Sequence, residues 1–281
     1  MNQHTLQSPC NFVGKGLHTG KPVTMRVLPA PAGTGIRFHR TDLGPDAFLA
    51  ASAANVGQTR RSTSLAASGV KVLTPEHLLS ALYGLGVDNA LVELDAPEVP
   101  ILDGSAKIFA RGFLSVGLAE QDAAREFLVV KDPFVYEDRR SDSRITFEPA
   151  EAPSFEVTID YHSEVVGIQH ARFVSGEDYA TQIAPCRTFC FFQEIEFLLK
   201  LGLIKGGTLD NALVVDEPKG YLGGKTPYFP NELARHKLLD LLGDLALCGK
   251  PLLGKVTAYK PGHKVNTQAL RHFLDAISHE R

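Results

Sequence analysis

His236, Asp240 and Asp244 recur at intervals of four along Arg235-His236-Lys237-Leu238-Leu239-Asp240-Leu241-Leu242-Gly243-Asp244-Leu245. On an α-helix, at about 100° per residue, they fall within about 80° of one another. Gly243 lies on the same side and leaves room for something to approach the backbone, while Leu238, Leu239, Leu241, Leu242 and Leu245 form the opposite, buried arc. A His at i and an Asp at i+4 can direct a nitrogen and an oxygen at one ion. The same pair also occurs as a solvated face, or as a His–Asp hydrogen bond with no metal. Glu76-His77 is the second candidate, although it is not an HExxH arrangement. Adjacent helical side chains point about 100° apart, so His77 could bind a metal while Glu76 faces a water. His77, His236 and Asp240 then supply three ligands and leave one position open, as in catalytic rather than structural zinc. Gly262-His263 follows a strand ending at Lys260. In a loop there His263 is expected to be mobile and accessible, either incidental or a general acid with its pKa raised by a carboxylate such as Asp244.

The elements that must hold these residues are short strands and a few helices. Val23–Leu28 and Gly35–His39 read as strands around a Pro/Gly turn. Thr74-Pro75 opens a helix that runs to about Tyr83 and stops at Gly84 and Gly86. Ala90–Leu94 is a strand, and the turn Asp103-Gly104 leads into a helix over Ala106–Leu114. The charged stretch Glu120–Glu126 reads as a linker. Strands follow at Phe127–Val130, Ile145–Phe147, Phe155–Tyr161, Ala212–Val215 and Gly254–Tyr259, with helices over Gln193–Leu201, about Glu232–Cys248 and from about Thr267. The run starting at His77 echoes the run starting at His236, each leading into an apolar strand, which suggests a duplicated unit. The expected fold is α+β: two similar domains, residues 1–122 and 123–281, each with helices layered on a mostly antiparallel sheet and a site between them.

Composition narrows the function classes. A chain of 281 residues has ample length for one large or two modest domains, and a net charge of -3 argues against general nucleic-acid binding. No apolar run approaches the roughly 20 residues of a membrane span, and the N-terminus has no signal-peptide pattern. The four cysteines, Cys10, Cys186, Cys190 and Cys248, are therefore expected as reduced thiols in the cytoplasm. Cys186 and Cys190 have no second cluster to make a zinc-thiolate site. The loop Gly14–Gly20 lacks both GxGxxG and a following helix, which sets aside a phosphate-binding nucleotide fold.

Six segments in order carry a more specific resemblance: Gly14–Gly20, Thr74-Pro75-Glu76-His77-Leu78, Ile101–Ala106, Arg187-Thr188-Phe189, Arg235–Asp240 and Tyr259-Lys260-Pro261-Gly262-His263. In these the chain resembles the UDP-3-O-acyl-N-acetylglucosamine deacetylases of Gram-negative lipid A synthesis, from residue 14 to 263. The resemblance implies two five-stranded domains with Zn2+ between them on His77, His236 and Asp240. It implies Glu76 as general base, and Thr188 with protonated His263 as stabilisers of the tetrahedral oxyanion. His263 would also protonate the departing amine, oriented by Asp244. Lys237, Lys260, Tyr161 and Glu194, with Phe189, would contact nucleotide and sugar. An apolar insert at about 189–215 would form an acyl passage lined by Phe192, Ile195, Ile204, Gly207, Thr208, Leu209 and Val214.

The implied partner is a UDP-linked, acylated amino sugar, with no nucleic acid, no transmembrane segment and a monomeric chain. The competing reading is a zinc amidohydrolase for another N-acetylated sugar or peptide, which would gain little from an apolar insert; a non-catalytic metal protein would not need Glu76 beside an open position. The chain departs from the family at Cys186 and Cys190, where relatives usually have small residues, and bulk at Cys190 would narrow the passage. It departs again at Arg60-Arg61, near the expected mouth, where apolar residues are frequent.

Overall fold

Alternating burial, as along Pro22–Pro29 where Val23, Met25 and Val27 point inward, builds most of the strands. The computed structural model describes residues 1–278. Two five-stranded sheets dominate it. The first has the order Cys10–Lys15, Pro22–Pro29, Ala90–Leu94, Ile36–Arg40, Phe48–Ala50. The second has the order Phe134–Asp138, Ser143–Glu148, Lys255–Tyr259, Ser154–Asp160, Ile168–Val174. In each the last strand to be made enters the centre, antiparallel to the second strand and parallel to the third. The mixed, mostly antiparallel α+β fold expected from the sequence is thus present twice with one topology.

The helices are α1 (Glu76–Gly84), α2 (Lys107–Val116), α3 (Tyr179–Gln182), α4 (Phe192–Lys200), α5 (Glu232–Leu245) and α6 (His263–Ser278). α1 and α5 occupy equivalent places, each just before the central strand of its sheet, and they pack against each other. Gly243 makes that packing close: a Cβ there would overlap the backbone carbonyl of Glu76. The buried apolar residues of both sheets, among them Phe38, Val92, Phe147 and Val256, form one continuous cluster with Leu79 and Leu239 of the two helices. A third sheet, Phe189–Phe191, Leu213–Asp216 and Gly220–Tyr221, carries α4 and forms the insert.

Two expectations are corrected. The stretch Glu120–Glu126 is not a linker: Leu118–Ala124 is a strand paired antiparallel with Asn2–Leu6. Its charges misled because they lie on an edge ribbon, where Glu120 accepts from the Asn2 side chain and Gln121 donates to the Ala30 carbonyl. The last helix begins at His263, earlier than Thr267, so His263 is not a mobile loop histidine but is 8% exposed in the first turn of α6.

Candidate active site

α5 is buried along nearly its whole length, and its polar edge faces the N-terminal end of α1. That places His77 Nε2 3.5 Å and His236 Nε2 3.4 Å from the same oxygen, Asp240 Oδ1. The three ligand atoms lie within 4.8 Å of one another. Each neighbour fixes the orientation of one group. His236 Nδ1 donates to the Cys186 carbonyl at 3.0 Å, which leaves the Nε2 lone pair free, and burial holds its pKa down to about 3. Asp240 Oδ2 accepts from Lys237 Nζ at 2.7 Å, whereas Asp240 Oδ1 is buried with no hydrogen-bond partner among the described residues. An orphaned carboxylate oxygen between two imidazole nitrogens costs stability unless a cation satisfies it. Two nitrogens and one carboxylate oxygen suit zinc with a position to spare. The residues fit the ion.

Beside the trio lies a second set. Burial of Glu76 raises its pKa to about 7, against the charges of His263 and His77. Its Oε2 accepts from the Thr63 backbone N–H at 3.2 Å, and its Oε1 is 3.7 Å from His263 Nε2. His263 Nδ1 donates to Asp244 Oδ2 at 3.0 Å. Burial opposes charge on His263, but the carboxylates of Asp244, Glu76 and Asp240 outweigh it and raise the pKa to about 9. A carboxyl near neutrality thus faces a histidine held protonated, the split that acid–base work requires.

Both sets open into a cleft of about 740 Å³ lined by Glu76, His77, Asp240, His263, Thr188, Phe189, Tyr161, Lys237 and Lys260. Lys260 is held at its edge by Asp142 at 3.0 Å, and Lys237 lies 5.4 Å from the Phe189 ring centre. A narrower, largely apolar cavity of about 260 Å³ continues from it. Ile195, Ile204, Gly207, Thr208, Leu209 and Val214 line that cavity, together with Leu198, Leu199 and Cys190. Phe192 does not: it is 50% exposed at the start of α4. Glu194 turns its carboxylate to Arg61 and to the Phe191 N–H.

Several residues escaped the sequence reading. Thr63, fully buried, donates its hydroxyl to Asp244 Oδ1 at 2.5 Å, and Asn266 donates to Asp244 Oδ2 at 2.9 Å. Glu98 is buried and accepts from the backbone of His18 and Thr19 and from the Thr74 hydroxyl, so one carboxylate shapes the loop at Gly14–Gly20 and the entry to α1. Glu232 grips Arg187 through Nε at 2.9 Å and Nη2 at 3.0 Å, which fixes the segment that presents Thr188 and Phe189. No local signal marks these four; each is known only by a partner distant in sequence. All four cysteines are free thiols. Cys186 acts through its carbonyl on His236.

Comparison with known proteins gives matches of nearly full length. A family model described as "LpxC: UDP-3-O-acyl N-acetylglycosamine deacetylase" matches residues 3–275. A protein of Pseudomonas entomophila called UDP-3-O-acyl-N-acetylglucosamine deacetylase is 44% identical over 278 residues, covering 98% of this chain and 90% of its own. One of the same name from Saccharophagus degradans is 42% identical over 277 residues, with 98% and 90% covered. The bifunctional enzyme LpxC/FabZ of Bacteroides thetaiotaomicron is 40% identical over 300 residues; these cover 99% of this chain but only 65% of that longer protein.

Proposed function

The chain belongs to the LpxC family of UDP-3-O-acyl N-acetylglycosamine deacetylases, and we propose that it hydrolyses the N-acetyl amide of UDP-3-O-acyl-N-acetylglucosamine, releasing acetate and UDP-3-O-acyl-glucosamine for lipid A synthesis. The observation that carries this reading is Asp240 Oδ1, buried without a hydrogen-bond partner among the described residues and facing the Nε2 atoms of His77 and His236. His77, His236 and Asp240 would hold a zinc ion, which when bound would supply Lewis-acid activation of water and of the amide carbonyl.

The remaining steps belong to the side chains. Glu76, poised near neutrality, takes the proton of the attacking water. His263 Nε2 and the Thr188 hydroxyl face the cleft in which the oxyanion develops. His263, charged and aligned through Nδ1 by Asp244, gives a proton to the leaving amine. Lys237 and Lys260 offer cations to the diphosphate, and Tyr161 and Phe189 an aromatic wall to the sugar. The apolar cavity takes the acyl chain, worth about 0.8 kcal/mol per buried methylene. That cavity is what disfavours a general N-acetyl sugar amidohydrolase.

We take the two similar halves as domains over 1–122 and 123–281, the second with its insert at about 189–215, working as a cytoplasmic monomer. Among the described residues no helix is long and apolar enough to cross a membrane. The test is acetate release from UDP-3-O-acyl-N-acetylglucosamine and from the same nucleotide without its acyl chain, before and after chelation and zinc replacement. Activity untouched by chelation sinks the metal, and indifference to the acyl chain sinks the substrate.

A further inference from the structure

The apolar cavity is walled by the insert on one side and by loops of the first half on the other, and the two meet along unlike seams. One seam is backbone. The Gly206 N–H donates to the Leu17 carbonyl at 2.9 Å, and the Ile204 N–H to His18 Nδ1 at 3.4 Å. A Cβ at Gly206 would overlap the Gly16 carbonyl, so the loops touch main chain to main chain. The other seam is one side-chain pair. Arg61 binds Glu194 of α4 through both terminal guanidinium nitrogens, Nη1 at 3.2 Å and Nη2 closer still.

Both partners of this pair are pre-placed. Arg61 has a left-handed backbone with φ of 64°, uncommon for a residue with a Cβ, and two residues later the Thr63 N–H is tied to Glu76. Glu194 sits in the first turn of α4 and accepts from the Phe191 N–H at 3.4 Å. Arg61 also borders both the polar cleft and the apolar cavity, a position shared with Leu17, Thr188 and Phe189. Anything passing from one to the other goes by these four side chains.

We infer that Arg61 is a specificity-determining residue for the acyl chain: held by Glu194, its aliphatic stem forms the outer wall of the passage mouth. The Arg61 side chain is 44% exposed; with the charged head toward water, the methylenes beneath it shield the first carbons of the chain. An arginine thereby does the work of an apolar residue, but only while a carboxylate pins it. Without the pin, the mouth opens to solvent and the chain gains less from burial.

This inference rests on the proposed substrate, and the test separates the two. Acetate release is compared for UDP-3-O-decanoyl-N-acetylglucosamine and UDP-N-acetylglucosamine, as the ratio of kcat/KM. Glu194→Gln is expected to lower that ratio about threefold, the scale of an exposed ion pair, and Arg61→Ala about tenfold because the stem goes as well. Both losses are expected in KM, with kcat held within about twofold. A wild-type ratio in Glu194→Gln, a wild-type ratio in Arg61→Ala, or a loss in kcat alone overturns the wall. The same comparison made by calorimetry in a Glu76→Ala background reads Kd without turnover. A wild-type protein that released no acetate would thus sink the activity, and the Kd ratio would still decide the wall.

Discussion

The two halves of the molecule share a strand order, a parallel pair in the same place and a helix before the central strand, yet they contribute unlike chemistry. α1 brings Glu76 and His77 from its first turn. α5 brings His236 and Asp240 from its first half and middle and Asp244 from its last turn, and α6 adds His263. The repeat fixes where two helices meet; it does not dictate what they carry. A centre assembled across such a seam needs both halves at once, and its parts can be broken from either side.

The largest effect is expected from that shared dependence. His77→Ala in one half and His236→Ala in the other should each abolish acetate release and lower bound zinc measured by atomic absorption. If one variant kept zinc and turnover, the centre would belong to a single half. Next, Glu76→Gln should leave bound zinc at the wild-type level while kcat falls by about 10²–10⁴-fold, the worth of a general base. Zinc lost together with activity would make Glu76 a ligand instead. The third change strikes the seam itself. Gly243→Ala forces a methyl group onto the Glu76 carbonyl, so α1 and α5 must part. Overpacking of this kind costs about 1–3 kcal/mol, to be read as a lower melting temperature, with a loss of zinc binding in the folded protein. An unchanged melting curve would show the helices free to slide.

The clustering of His77, His236 and Asp240 was legible because helical geometry is local: His236 and Asp240 share an edge wherever that helix sits, and Glu76-His77 announces itself beside Thr74-Pro75. Strand alternation was legible for the same reason. What joins the halves was not. The parallel pairing of Ile36–Arg40 with Ala90–Leu94 spans half of the first sheet's chain, and nothing in either strand names its neighbour. His263 follows a strand end and so reads as a loop residue; its burial comes from the packing of α6 against α5, which sets it beside Glu76 and Asp244. Glu194 matched a substrate position by order, whereas the structure commits its carboxylate to Arg61.

Thr63 is the sharpest instance, and it gives the smallest expected effect. It sits in the first half, its backbone N–H on Glu76 and its hydroxyl on Asp244 of the second half, 181 residues away. Asp244 in turn aligns His263, so one threonine sets Glu76 of one half against His263 of the other. Thr63→Val keeps the shape and the backbone bond but leaves Asp244 Oδ1 without its donor. Orphaning a buried carboxylate oxygen costs about 1–3 kcal/mol. Because Asp244 keeps His263 and Asn266 as donors, kcat should fall by only about tenfold, through a less well aligned His263. KM and bound zinc should not change, since Thr63 touches neither the cavity nor the ligands. Thr63→Ser, which restores the hydroxyl, should recover most of the rate. If valine turned over as fast as threonine, the alignment of His263 would rest on the second half alone, and the division of labour across the seam would end at the metal and Glu76.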